Sequence, residues 1–158
     1  MDLLQLQYQL ISERRSALLD YCESISPKHF TANLPSFADK SICTLLIHVV
    51  NVYEFWIGHF AGINDKPFTQ ANSVRTASEI REQFADIDKL IFSFILKYSG
   101  RWTLPISGNV PGRDLQLTVT ALELLTHVLT HEYHHKGQVL TMSRQLGYTP
   151  VDTDVIRF

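Results

Sequence analysis

Cysteine is scarce in this chain, and its two copies, Cys22 and Cys43, have no Cys-x-x-Cys partner and no histidine at zinc-knuckle spacing. That excludes a disulfide scaffold and a zinc ribbon, leaving both thiols as small buried hydrophobes of a reducing compartment. Charge of one sign is lacking as well: 14 Lys+Arg stand interspersed against 16 Asp+Glu, for a net charge of −2. No basic stripe is available for nucleic acid, and no Lys/Arg-rich face for an anionic membrane. No apolar run reaches membrane-spanning length, and Met1-Asp-Leu-Leu-Gln lacks the basic and apolar regions of a secretory signal. Repeats, low-complexity tracts and alternating strand patterns are also missing. The expectation is a cytoplasmic protein that meets small molecules or other proteins.

What is present is helical periodicity. A length of 158 residues with 45% hydrophobic content suits one domain, 1–158, with a sizeable core. Four helical segments are expected. The first, about Leu3 to Glu23, carries Leu3, Leu6, Leu10, Leu18 and Tyr21 among polar residues. The second, about Ser41 to Phe60, places Leu45, His48, Val52, Phe55 and His59 at steps of three and four, with Gly62 as a stop. The third, about Ala77 to Ser99, opens on the capping box Thr76-Ala-Ser-Glu79 and closes at Gly100. The fourth, about Val119 to Leu146, is capped by Thr118 or by Thr120 with Glu123, and ends at Gly147. The fold class expected is all-α, a four-helix bundle with a long crossover connection over 62–75. Residues 101–117, with Pro105, Gly108, Pro111 and Gly112, are read as a small hairpin or lid-like loop.

Four of the seven histidines fall between His127 and His135. His131 and His135 are four apart, which stacks them on one helix face within reach of a common ion. They interrupt the apolar seam Leu124, Val128, Val139, Met142, Leu146, and His48 interrupts the seam of the second segment. Each buried ring needs partners for both nitrogens. Either core hydrogen bonds supply them, or, where the two segments pack together, a shared metal does. Three imidazoles suit zinc, nickel, copper or iron(II) and leave a coordination position open. His127 is a possible fourth ligand or supporting donor, His134 lies off the seam, His59 is three turns from His48, and His29 sits in a loop.

His131-Glu-Tyr-His-His135 also satisfies His-Glu-x-x-His, in which the glutamate activates water for peptide hydrolysis. Such peptidases need a third ligand downstream. No glutamate follows Glu132, the metzincin positions hold Gln138 and Thr141, and only Asp152 or Asp154 could serve.

The block Leu125-Thr-His-Val-Leu-Thr-His-Glu-Tyr-His-His-Lys-Gly-Gln-Val139, followed by Arg144-Gln-Leu-Gly-Tyr-Thr-Pro-Val-Asp-Thr-Asp154, resembles the C-terminal signature of the DinB-like superfamily. Upstream, Leu46-Ile-His48 is similar to that family's first metal histidine. The resemblance implies an up-down-down-up four-helix bundle in which His48, His131 and His135 hold a divalent metal, commonly zinc or nickel. It also implies that Glu132 is no ligand, and it makes Lys136 a departure from the usual arginine, losing the bidentate fork. Relatives include S-transferases using low-molecular-weight thiols, and homodimers. The implied function is a metal-dependent enzyme on a small molecule, most specifically a thiol-dependent S-transferase. A metal-dependent hydrolase and a non-catalytic, stress-associated metal-binding or scaffold protein are the alternatives. No catalytic acid or base is identifiable; Tyr133, Gln138 and Arg144 are polar neighbours on the same helix.

Overall fold

Helix ends in this chain are written in its capping residues. The computed structural model describes residues 3–110 and 113–157, and reciprocal capping boxes open three of its four long helices: Ser41 with Thr44, Thr76 with Glu79, and Thr120 with Glu123. In each, a side chain and a backbone N–H satisfy one another at both ends of the first turn. The resulting order is α1 (Leu3–Glu23), α2 (Pro27–Phe30), a 3-10 turn (Pro35–Phe37), α3 (Ile42–Tyr53), a π-helical turn (Glu54–Phe60), α4 (Ala77–Tyr98), β1 (Pro105–Asn109), β2 (Gln116–Thr120) and α5 (Ala121–Gln145). Gly100 and Gly147 follow α4 and α5 at φ +70° and +90°, a region that an L side chain rarely adopts.

The chain is mostly helical with one two-stranded antiparallel hairpin, Pro105 pairing with Thr120 and Asn109 with Gln116. The fourth long helix therefore starts at Ala121 rather than Val119, because 116–120 are strand. Thr118 is no cap: its hydroxyl meets Ser107 across the hairpin at 2.8 Å. Pro111 and Gly112 lie outside the described residues. The second helical segment is also not uniform, since its α geometry gives way to π after Tyr53.

Side-chain contacts give the running directions. Tyr8 and Arg15 of α1 meet Asp88 of α4 while Asp20 and Glu23 meet Arg81, so these helices are antiparallel. Residues 62–75 return alongside α3, with Lys66 at His59, Thr69 at Asn51 and Val74 at Cys43. That return sets α4 parallel to α3. Trp56 faces His127 and Tyr53 faces Glu132, so α3 and α5 are antiparallel.

One continuous core joins these elements, with Tyr8, Tyr53, Ile87, Ile91, Phe94, Leu125 and Met142 among its fully buried side chains. The α1 stripe differs from expectation. Leu18 and Tyr21 are buried, but Leu3, Leu6 and Leu10 are exposed, and the inward face is Tyr8, Ile11, Arg15, Leu18 and Cys22. A second correction concerns length: Ile42–Phe60 is 19 residues and apolar enough to cross a membrane by composition. Here it is a core element packed against α4 and α5.

Candidate metal centre

α3 brings His48, and α5 brings His131 and His135, to one point on the half-buried flank where the two helices face each other. The ring centroids lie 5.1 Å apart for His48 and His131, 4.9 Å for His48 and His135, and 4.4 Å for His131 and His135. One ligand nitrogen from each lies within 4.8 Å of the others. Among the described residues this is the only group of three or more metal-ligating side chains so placed.

The donor set fits a metal. Two nitrogens at 2.0–2.1 Å from a tetrahedral ion stand about 3.3 to 3.4 Å apart; His131 Nε2 and His135 Nε2 are 3.3 Å apart. His135 Nδ1 lies 2.7 Å from Gln138 Oε1, so a proton held on Nδ1 is donated to the amide oxygen and the Nε2 lone pair faces its neighbours. His131 Nδ1 is buried without a hydrogen-bond partner among the described residues. A cation on the facing Nε2 atoms would leave that nitrogen as it is, so it is the spacing of the donor atoms that fits an ion. The three histidines can therefore hold a divalent metal ion.

Electrostatics keeps the rings in the form a metal requires. Burial pushes His131 down to about 4, helped by the imidazoles of His135, His48, His127 and His134. Burial, then His135 and Lys40, lowers His48. Burial also lowers His135, against the bond to Gln138, which raises it. Each ring is thereby favoured in its neutral form at neutral pH. Lys40 is a positive neighbour of the site with no sequence signal, because it lies in the loop before α3 and reaches the triad only through the fold.

The other histidines separate as their spacing suggests. His127 sits edge-on to Trp56 with centroids 5.2 Å apart and lies 5.8 Å from His131, so it borders the triad without joining it. His134 is exposed and 3.3 Å from Gln138 Nε2. His59 Nε2 bonds the Lys66 carbonyl while its ring stacks on Phe68, and His29 Nδ1 meets the Tyr148 hydroxyl. His48 corrects one expectation: it lies not deep in the core but at the edge, half-buried with Val52 and Phe55. The π turn beyond it bundles Phe55, Trp56 and Phe60 into an aromatic wall beside His127.

Glu132 is turned into the core. Its two oxygens accept from Arg15 Nε and Nη2 at 2.9 Å each, and Oε2 accepts from the Tyr53 hydroxyl at 2.5 Å. Those partners leave it no part in activating water, so the His-Glu-x-x-His string has no peptidase geometry. Asp152 and Asp154 are exposed in the tail, where the Asp154 amide bonds Asp152. Lys136 donates to the Thr153 carbonyl at 2.8 Å and lies 3.8 Å over the Tyr133 ring. A point charge performs that task, so the lost guanidinium fork has no counterpart here. Arg144 is exposed and Tyr133 half-buried. Arg15 is the residue sequence reading missed, and its signal was a charged position on the Tyr8, Ile11, Leu18, Cys22 spacing.

A family model described as the DinB family matches residues 1–158. Protein DinB of Bacillus subtilis (strain 168) is 30% identical over 126 residues, spanning 72% of this chain and 69% of that protein.

Proposed function

The chain belongs to the DinB family, and from that premise we propose that it is a divalent-metal-dependent enzyme acting on a small molecule, most specifically a thiol-dependent S-transferase. In this reading residues 1–158 form a single domain, a four-helix bundle of up-down-down-up connectivity. The antiparallel, parallel and antiparallel contacts of α1 with α4, α3 with α4 and α3 with α5 support it. His48, His131 and His135 are the ligands, with zinc or nickel as the ion, in a cytoplasmic homodimer. One observation carries the proposal: three ligand nitrogens from two facing helices lie within 4.8 Å of one another.

His48, His131 and His135 would hold the ion, which would supply Lewis acidity able to lower the pKa of a thiol toward neutral pH. The chain's own residues prepare that site. Gln138 orients His135, burial favours the neutral form of all three imidazoles, and the Lys40 charge beside His48 and His135 favours an anionic sulfur. The aromatic wall of Trp56 and Phe60 borders the same flank through His127. Glu132 is not the base of a hydrolase, since it is committed to Arg15 and Tyr53.

Elemental analysis of protein purified without an affinity tag tests the ligands. Wild type holds close to one equivalent of metal, while His48→Ala and His135→Ala lose it; full occupancy in both variants sinks the triad. Thiol-dependent turnover of an electrophilic acceptor then supports the transferase. Thiol-independent ester or amide cleavage supports the hydrolase, and neither activity, with metal loss lowering Tm, supports a structural role.

A further inference from the structure

The hydrogen bond from Tyr53 to Glu132 Oε2, 2.5 Å long, is the only side-chain hydrogen bond between α3 and α5 among the described residues. These are the two helices that carry the triad. Their other contacts include the ring contacts of His48 with His131 and His135 and apolar packing, which drives association but is non-directional. A directional tie between them is therefore singular, and it is well anchored. Arg15 of α1 holds both Glu132 oxygens, Asp88 of α4 accepts from Arg15 Nη1 at 2.7 Å, and the Tyr8 hydroxyl donates to Asp88 at 2.6 Å.

Placement relative to the triad is close. Glu132 follows His131 by one residue, about 100° around α5, and Tyr53 follows His48 by five, about 140° around α3 and some 7.5 Å along it. Tyr53 and Glu132 are buried and His48 and His131 half-buried, while His135, 8% exposed, is about as buried as Glu132. Arg15 is 3% exposed, Glu132 7% and Tyr53 0%. Burying an ion pair so completely is a costly way to join helices, because apolar side chains of equal volume stabilise as well or better. In the best-attested cases such a pair serves to fix register.

We infer that the network of Arg15, Glu132 and Tyr53 is a positioning device for the metal centre: it fixes the rotation and axial offset of α5 against α3, and so presets the nitrogen separations of the triad. This inference rests on the ligand assignment proposed above. None of the three residues is a ligand; they are positioning residues, acting through the backbones of His48, His131 and His135.

Tyr53→Phe keeps the buried ring and removes only the tie. The readouts are zinc affinity by competition with a chromophoric chelator, the visible absorption of the cobalt-substituted protein, and the melting of the metal-free protein. Tyr53→Phe is expected to weaken zinc binding about tenfold, at the low end of what lost support around metal ligands costs. The cobalt bands shift, and metal-free Tm falls by only about 3 °C. Glu132→Gln moves affinity and spectrum in the same direction. A lowered Tm with unchanged zinc affinity and an unchanged cobalt spectrum overturns the inference and leaves the network purely structural. Zinc binding by His135→Ala as tight as wild type overturns the ligand assignment, and this inference with it.

Discussion

Arg15 and Glu132, 117 residues apart in sequence, meet through two parallel hydrogen bonds of 2.9 Å, with side-chain exposures of 3% and 9%. Removing one partner strands the other's charge in the core. Glu132→Ala is expected to cost about 3 to 5 kcal/mol of unfolding free energy, measured by denaturant titration. A solvent-facing catalytic base would cost within about 0.5 kcal/mol on the same substitution. The wild-type protein is expected to show no peptide hydrolysis.

Burial pushes the Cys22 thiol up to about 12 and the Cys43 thiol up to about 11, with Glu23 and Glu79 adding to the shift. Both are therefore protonated and inert at pH 8, so native protein should not react with a thiol-titrating disulfide until denatured. The sign for stability follows. Below the ordinary thiol value of 9.0, folded and unfolded chains both carry the protons, and nothing changes. Above it the unfolded chain ionises first, so stability falls as pH rises from 9 toward 12, and Cys22→Ala should flatten that decline relative to wild type.

Lys136 ties the C-terminal tail to α5 through the Thr153 carbonyl and the Tyr133 ring. Lys136→Met removes the charge-assisted bond and should cost about 2 kcal/mol. Limited proteolysis should then cut first within residues 148–157, with metal content unchanged. Metal loss in this variant would place Lys136 at the centre instead.

Gly108 lies where β1 passes over Phe60, and a Cβ there would stand 3.0 Å from one ring carbon and 3.1 Å from another. Phe60 is itself packed against Phe55 and Trp56 and has little room to yield. Gly108→Val should destabilise the protein by about 1 to 2 kcal/mol despite the strand preference of valine. The fluorescence of Trp56, isolated by Trp102→Phe, should shift.

Helix positions and the triad were legible because both are governed by local rules. Capping boxes at Thr76 and Thr120 need only a partner three residues on. The pair His131 and His135 needs only one turn of helix, and His48 joins it once α3 and α5 face each other. The buried face of α1 was not legible, because Leu3, Leu6 and Leu10 follow helical spacing as well as Tyr8, Ile11 and Arg15 do. Only partners 73 and 117 residues away make Arg15 the inward one. The π turn was equally hidden: periodicity over seven residues from Glu54 to Phe60 does not separate α from π geometry.

That change from α to π after Tyr53 governs where the helix tolerates insertions and deletions. A π turn holds more residues than an α turn, so deleting one residue within 54–60 lets the turn relax to α while His48 and Tyr53 stay in place. The same deletion within 49–52 would rotate Tyr53 about 100° relative to His48 and put the tie out of register with the histidine triad. A one-residue change of length is thus absorbed in the last turn of the helix, while the spacing from His48 to Tyr53, and with it the register of the histidine triad, is kept.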